Sequence, residues 1–223
     1  MFKIDTHTHT LETSSCARIE AKETVRLYKE AGYQGIIITD HYYDFYFENL
    51  IGLSWEEKVD QFLLGYHHAT EEGIKQDLKV FLGLEIRFTE NPNDYLVYGI
   101  SEEFLKEHKE LYTLGLKKFK KLIEKENILI IQAHPFRMHM IVAAPEDIHG
   151  VEVYNGNARH NSHNELSLAF AKEHSLMMSS GSDFHELEDL ARGGMGFDYE
   201  INTAAEFVKA LRDRSALKLL STL

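Results

Sequence analysis

Residues 1–10, MFKIDTHTHT, open as a short apolar strand and end in Asp5, His7 and His9, and the reading of this stretch decides the fold. In extended backbone, side chains two apart point to the same side, so His7 and His9 project together and can share one ligand. Polar chemistry at the end of an apolar strand is what a parallel α/β protein offers, because its C-terminal strand ends lie on one face.

Working outward, the same arrangement recurs. IEAKETVRLYKEAG (19–32) reads as a helix with Ile19, Thr24, Leu27 and Ala31 on one face and Gly32 as its stop. YQGIIITD (33–40) is a second strand, and Val59, Phe62, Leu63, Tyr66 and Ala69 predict one long helix over 55–77. LKVFLGLEI (78–86) and DYLVYGI (94–100) follow as strands, and 101–127 as one or two helices. ILIIQAH (128–134), GVEVYN (150–155) and SLMMSSGSD (175–183) are further strands, ELSLAFAKEHS (165–175) and 203–212 are helices, and ALKLLSTL is a short apolar tail.

This alternation predicts a distorted (β/α)7 TIM-like barrel, with an open doubly wound sheet as the second choice. Three prolines and fourteen scattered glycines leave no linker, so 1–223 reads as a single α/β domain. No internal repeat is present. The chain is 43% hydrophobic, yet the apolar run at its start is too short for the roughly 7–15 residues of a secretory signal. No run approaches the ~18 residues of a membrane span. With a lone cysteine, Cys16, the expectation is a cytoplasmic protein. A net charge of −12 disfavours a nucleic-acid backbone as partner, although divalent ions at one spot would still admit a small anionic substrate.

The unusual residues fall at strand ends: Asp5, His7 and His9; Asp40 and His41; Glu85; His134; Glu152 and Asn155; Asp183 and His185. Imidazole nitrogen and carboxylate oxygen suit zinc, manganese or iron. Glu85, with two oxygens, is able to bridge two ions.

HTH after the opening strand, TDH (39–41), GLE (83–85), AHPFR (133–137) and GSDFH (181–185) resemble, in order and spacing, the PHP (polymerase and histidinol phosphatase) family over nearly the whole chain. The resemblance implies a distorted seven-stranded barrel, a trinuclear metal site and phosphoester hydrolysis, and two or three divalent ions are expected. By the same resemblance, His7, His9, Glu85 and Asp183 hold the first ion, Glu85 and His134 the second, and His41 and His185 the third. Members often carry a His about nine residues past the bridging Glu, where this chain has Asp94. Where they carry an Asp or His after the second histidine, it has Ser14 and Ser15, with Glu12 the preferred substitute ligand and Cys16 the other.

Arg137, three residues after His134, is the first candidate for substrate phosphate, with Arg18 next and Arg87, Arg159 and Arg192 behind. Asp5 and Asp40 either orient the neighbouring histidines or serve as strand-end caps. Tyr42, Tyr43, Phe45, Tyr46 and Phe47 either cover a substrate or pack in the core. His67, His68, His108, His139, His149, His160, His163 and His174 read as surface residues. The expected activity is hydrolysis of a small phosphomonoester, histidinol-phosphate-like or a nucleotide, with His7, His9, Glu85, Asp183 and Arg137 carrying the chemistry. The alternatives are a metal-dependent 3'-5' exonuclease and a catalytically silent metal-binding regulatory domain. Oligomeric state is not legible.

Overall fold

A computed structural model describes residues 1–214 and 218–221. Strand β1 (Phe2–Thr8) lies parallel to β2 (Gly35–Ile38), and helix α1 (Ala21–Glu30) crosses between them. After β2 come the two-residue β3 (His41–Tyr42) and helices α2 (Asp44–Glu48), α3 (Trp55–Phe62) and α4 (Leu64–Gln76). Strand β4 (Lys79–Arg87) pairs in parallel with β2 and β3, then forms an antiparallel hairpin with β5 (Asp94–Tyr98). Helices α5 (Glu102–Glu107) and α6 (Leu116–Leu122) precede β6 (Leu129–Gln132), which is antiparallel to β5.

Strand β7 (Gly150–Asn155), helix α7 (Asn164–Glu173) and strand β8 (Met177–Gly181) restore parallel pairing. Strand β9 (Gly193–Phe197), helix α8 (Ala204–Arg212) and strand β10 (Lys218–Ser221) complete the described chain. The sheet order is β10-β9-β1-β2-β4-β5-β6-β7-β8. The sheet curls until the segment after β8 meets the end of β1: Phe184 N donates to His7 O (3.1 Å) and His9 N to Phe184 O (3.0 Å). The result is the expected α/β barrel, nearly closed and irregular.

Three expectations need correction. The helix expected over 55–77 breaks at Leu63, where the Phe62 carbonyl accepts a hydrogen bond from Thr13 Oγ1 at 2.9 Å. Gly65 then lets α4 come against Thr10, whose Oγ1 would lie 2.0 Å from any Cβ there. The pairing is mixed rather than all parallel. β5 and β9 run against their neighbours, and GGMGF was not legible as a strand because it has three glycines and no β-branched residue. The described part of the apolar tail is strand β10, paired with β9, while Ala216, Leu217, Thr222 and Leu223 lie outside the described residues.

Strand β4 shows how the sheet divides core from site. Leu82, Leu84 and Ile86 join a cluster with Val59, Phe62, Phe119 and Val151 on the helix-covered side. On the other side, Phe81 packs with Ile4, Ile37, Tyr98 and Ile131, and two pleats further along that face comes Glu85. An apolar plug therefore fills the barrel beneath the site.

Candidate metal centre

Elements far apart in sequence bring eight donor residues to the barrel mouth: His7 and His9 from β1, His41 from β3, Glu85 from β4, Asp94 from β5, His134 after β6, and Asp183 and His185 after β8. Asp94 reaches this face because β5 is antiparallel, so its first residue sits beside the last residue of β4, Arg87. His134 and Asp183 both take positive φ, 28° and 53°. Such backbone costs of order 1–3 kcal/mol at a non-glycine residue and collects at functional sites.

Glu85, with 1% exposure, stands at the middle. His7 Nε2 is 3.4 Å from its Oε1, His9 Nε2 is 3.5 Å from its Oε2, His134 Nε2 is 3.2 Å from Oε1, and His41 Nδ1 is 2.7 Å from Oε2. Asp183 Oδ1 faces His7 Nε2 at 3.4 Å and His9 Nε2 at 3.5 Å. Both imidazole nitrogens are buried, and among the described residues neither has a hydrogen-bond partner. A separation of 3.4–3.5 Å is long for an N–H···O bond. It matches the roughly 3.4 Å edge between two ligands that each lie about 2.1 Å from one tetrahedral ion. Three sets of donors have atoms all within 4.8 Å of one another: His7, His9 and Glu85; Glu85, Asp94 and His134; and His9, His41 and His185. These residues fit a cluster of divalent ions.

The outer nitrogens are also held. His7 Nδ1 lies 2.9 Å from Glu152 Oε1, His185 Nδ1 2.9 Å from the Asp183 carbonyl, and His9 Nδ1 3.3 Å from Ser14 Oγ. Hydrogen-bonded Nδ1–H groups leave Nε2 lone pairs aimed inward, the usual arrangement for ligating histidine. Glu152 is the residue that sequence reasoning underused. Its Oε2 also accepts from His134 N (3.1 Å) and Asn155 Nδ2 (2.9 Å). The signal was a carboxylate inside the apolar run of β7, where burial demands partners.

Electrostatics favour ionised carboxylates facing a protonated His7 and a neutral His9. Burial raises Glu85 and Asp183, but the charges of His7 and His41 on Glu85, and of His7 and Arg137 on Asp183, outweigh it and hold both well below the usual range. Burial, with the charges on His185 and His41, drives His9 well below its ordinary value. Burial alone would do the same to His7, but Glu152, Asp183 and Glu85 hold it well above.

A cavity of about 630 Å³ opens over the cluster, lined among others by Cys16, Arg18, Arg87, Arg137, Arg159 and His160. Arg137 Nη2 donates to Asp183 Oδ2 at 2.8 Å and Asn155 Oδ1 at 2.9 Å. Arg87 forks onto Asp94 at 2.9 and 2.8 Å and stacks over the Tyr43 ring at 4.4 Å. Arg159 binds Glu186 and Asp189, and Arg18 lies on the cavity wall. Arg192 is absent from that lining and donates to the Gly156 carbonyl. His160, read as a surface residue, faces the cavity.

Glu12 does not join the cluster. Its carboxylate accepts from Ala21 N at the start of α1 (3.0 Å) and lies 3.0 Å from His68 Nδ1, so it serves the helix end. Asp5 and Asp40 act as strand-end caps rather than on imidazoles. Asp5 accepts from His7 N, Ser182 N and Tyr28 Oη, and Asp40 from Thr10 and Ser14. Burial pushes both up to about 6. The aromatic run divides: Tyr42 and Phe47 are fully buried in the core, whereas Tyr43 and Phe45 line the cavity.

A barrel whose mouth carries this donor set is built to hold a cluster of divalent metal ions. The chain belongs to the PHP domain family, with residues 5–182 matching the PHP domain and 161–216 a PHP-associated segment. No curated protein matches the sequence. Among solved structures it is similar to a two-domain protein from Bacteroides vulgatus containing a predicted PHP-like metal-dependent phosphoesterase, at TM-score 0.66 and 17% identity over 96% of this chain. The chain spans 63% of that protein's length. It is also similar to PsfC from Pseudomonas syringae, at TM-score 0.65 and 14% identity, covering 99% of this chain and 91% of that one. An amidohydrolase from Chromobacterium violaceum, with bound sulfate and no metal, matches at TM-score 0.57 and 15% identity over 93% of this chain and 96% of that one. At these identities the likeness shows the fold alone. Among the described residues no helix is long and apolar enough to cross a membrane.

Proposed function

We propose that this chain is a phosphoesterase that hydrolyses a small phosphomonoester, histidinol-phosphate-like or a nucleotide, at the imidazole–carboxylate centre. One observation carries the reading: the Nε2 atoms of His7 and His9, unpartnered among the described residues, face Glu85 and Asp183 on the floor of a cavity walled by four arginines. His7, His9, Glu85 and Asp183 would hold one ion, Glu85, His134 and Asp94 a second, and His41 with His185 a third. Zinc, manganese or iron at these positions would supply Lewis-acid polarisation of a phosphoryl oxygen and acidify water.

The chain's own residues do the rest. Arg137, whose Nη2 is anchored on Asp183 and Asn155, would offer its remaining guanidinium N–H groups to a phosphoryl oxygen. Glu152 fixes the His7 ring, and Tyr43 steadies His41 by stacking at 4.6 Å. The leaving oxygen takes its proton from solvent entering the open cavity or from a histidine on its wall.

The test is metal analysis of protein purified without chelator, followed by p-nitrophenyl phosphate hydrolysis. At least two ions per chain and activity that collapses in His7→Ala and Asp183→Ala support the reading. Retained hydrolysis in those variants would refute the site. Preference for single-stranded DNA would favour the exonuclease, which the −12 net charge disfavours. Bound ions without turnover on either substrate would favour a regulatory module.

A further inference from the structure

Beside the third donor set stands a soft ligand. Cys16 Sγ lies 3.1 Å from His41 Nε2, and Cys16, His41 and His185 line the same cavity. The nitrogens of His9, His41 and His185 converge on the same spot: the His9 ring centroid is 4.3 Å from each of the other two, and all three residues offer donors within 4.8 Å of one another. His9 is fully buried beside this position, and its Nε2, with no hydrogen-bond partner among the described residues, faces Glu85 and Asp183 at 3.5 Å. The Asp183 carbonyl occupies His185 Nδ1, so the Nε2 lone pair of that ring is free to face the thiol. Ser14 does not compete for the ligand position, since its hydroxyl is spent on Asp40, on His41 N and beside His9.

We propose that the Cys16 thiolate is itself a metal ligand, joining His41 and His185 to make a sulfur-containing third position. The inference rests on the proposed metal centre and extends it. A thiolate among imidazoles selects zinc or cobalt over magnesium and calcium, which prefer oxygen. The three positions would then differ in character, the Glu85–Asp94–His134 position being the oxygen-rich one. Binding at the sulfur position transfers the thiol proton to solvent and forms one metal–sulfur bond, with no change in oxidation state.

Cobalt(II) alone is the probe. Wild-type protein titrated with cobalt chloride is expected to develop a sulfur-to-cobalt charge-transfer band in the near ultraviolet. Cys16→Ser should lack it while keeping visible ligand-field absorption from the remaining positions, and it should bind one equivalent fewer. In parallel, saturating zinc should protect the wild-type thiol from dithionitrobenzoate, a measurement that needs no variant. Cobalt bound in equal amount by both proteins with no charge-transfer band, or a thiol that zinc leaves fully reactive, overturns the role of Cys16 and leaves the rest of the centre standing. Failure of the wild-type protein to bind cobalt or zinc at all overturns both the centre and this ligand.

Discussion

Glu152 Oε1 lies 2.9 Å from His7 Nδ1, and both side chains are completely buried. The carboxylate also accepts from the backbone of His134, so one residue of β7 aligns ligands contributed by β1 and by the loop after β6. It fixes which nitrogen of His7 carries the proton, and hence that Nε2 faces the centre.

Glu152→Gln should therefore keep the fold and weaken metal binding. The expected loss is about 10- to 100-fold in affinity, the scale of removing a partner behind a ligating histidine. Competitive chelator titration measures it, with circular dichroism as the folding control. Unchanged affinity would show that His7 needs no such support.

Arg137→Lys should retain bound metal but lower kcat/KM for a phosphomonoester by about 100-fold, the scale of losing one preorganised donor to transition-state charge. A lysine delivers a point charge in place of a planar guanidinium whose Nη2 alone binds both Asp183 and Asn155. Steady-state kinetics alongside metal analysis separates this from simple loss of the ion.

Gly181→Ala tests how tightly β8 is pressed on the site. A Cβ there would sit 2.4 Å from His7 Cβ, far inside contact distance. Either β8 or His7 must shift, so the variant should lose about 1–3 kcal/mol of stability. For a domain of this size, Tm should fall by about 2–4 °C per kcal/mol. Chelator titration should show weakened metal binding in the same protein.

His149 gives a pH prediction away from the centre. Burial, reinforced by the charges of Lys120 and Arg212, lowers its pKa from 6.5 to about 4, while its Nδ1 accepts from Ile130 N at 3.0 Å. Between those two values the unfolded chain takes up a proton that the folded chain resists. The stability it contributes is thus full above pH 6.5 and is lost as pH falls toward about 4. His149→Asn, which keeps an acceptor for Ile130, should flatten the fall in Tm between pH 7 and 4.5 relative to wild type. Parallel curves for the two proteins would contradict the assignment.

The barrel and the convergence of the motif residues were legible because both depend on short patterns. Apolar runs of four to nine residues ended in His, Asp or Glu, and each observed ending lies on the same face. What the sequence hid depends on pairing. Nothing in DYLVY says that β5 runs backwards, so Asp94 reaches the site from the first residue of a strand and not the last. Glu12 looked as available as Cys16, four residues away, yet the start of α1 claims its oxygens. Gly193 opens β9, where the backbone of Gly181 passes so close that any Cβ would meet its carbonyl at 2.2 Å. A strand built from close approach rather than from β-branched side chains leaves little trace in local composition.

His7, His9, Glu85 and Asp183 are expected to enclose a metal ion, and anomalous diffraction from crystals grown with zinc or manganese would locate it. The expected map has a peak within bonding distance of both Nε2 atoms and of a carboxylate oxygen from Glu85 and Asp183, with at least one more peak nearby. A map with no peak among these side chains, or with peaks only on the protein surface, would contradict the account.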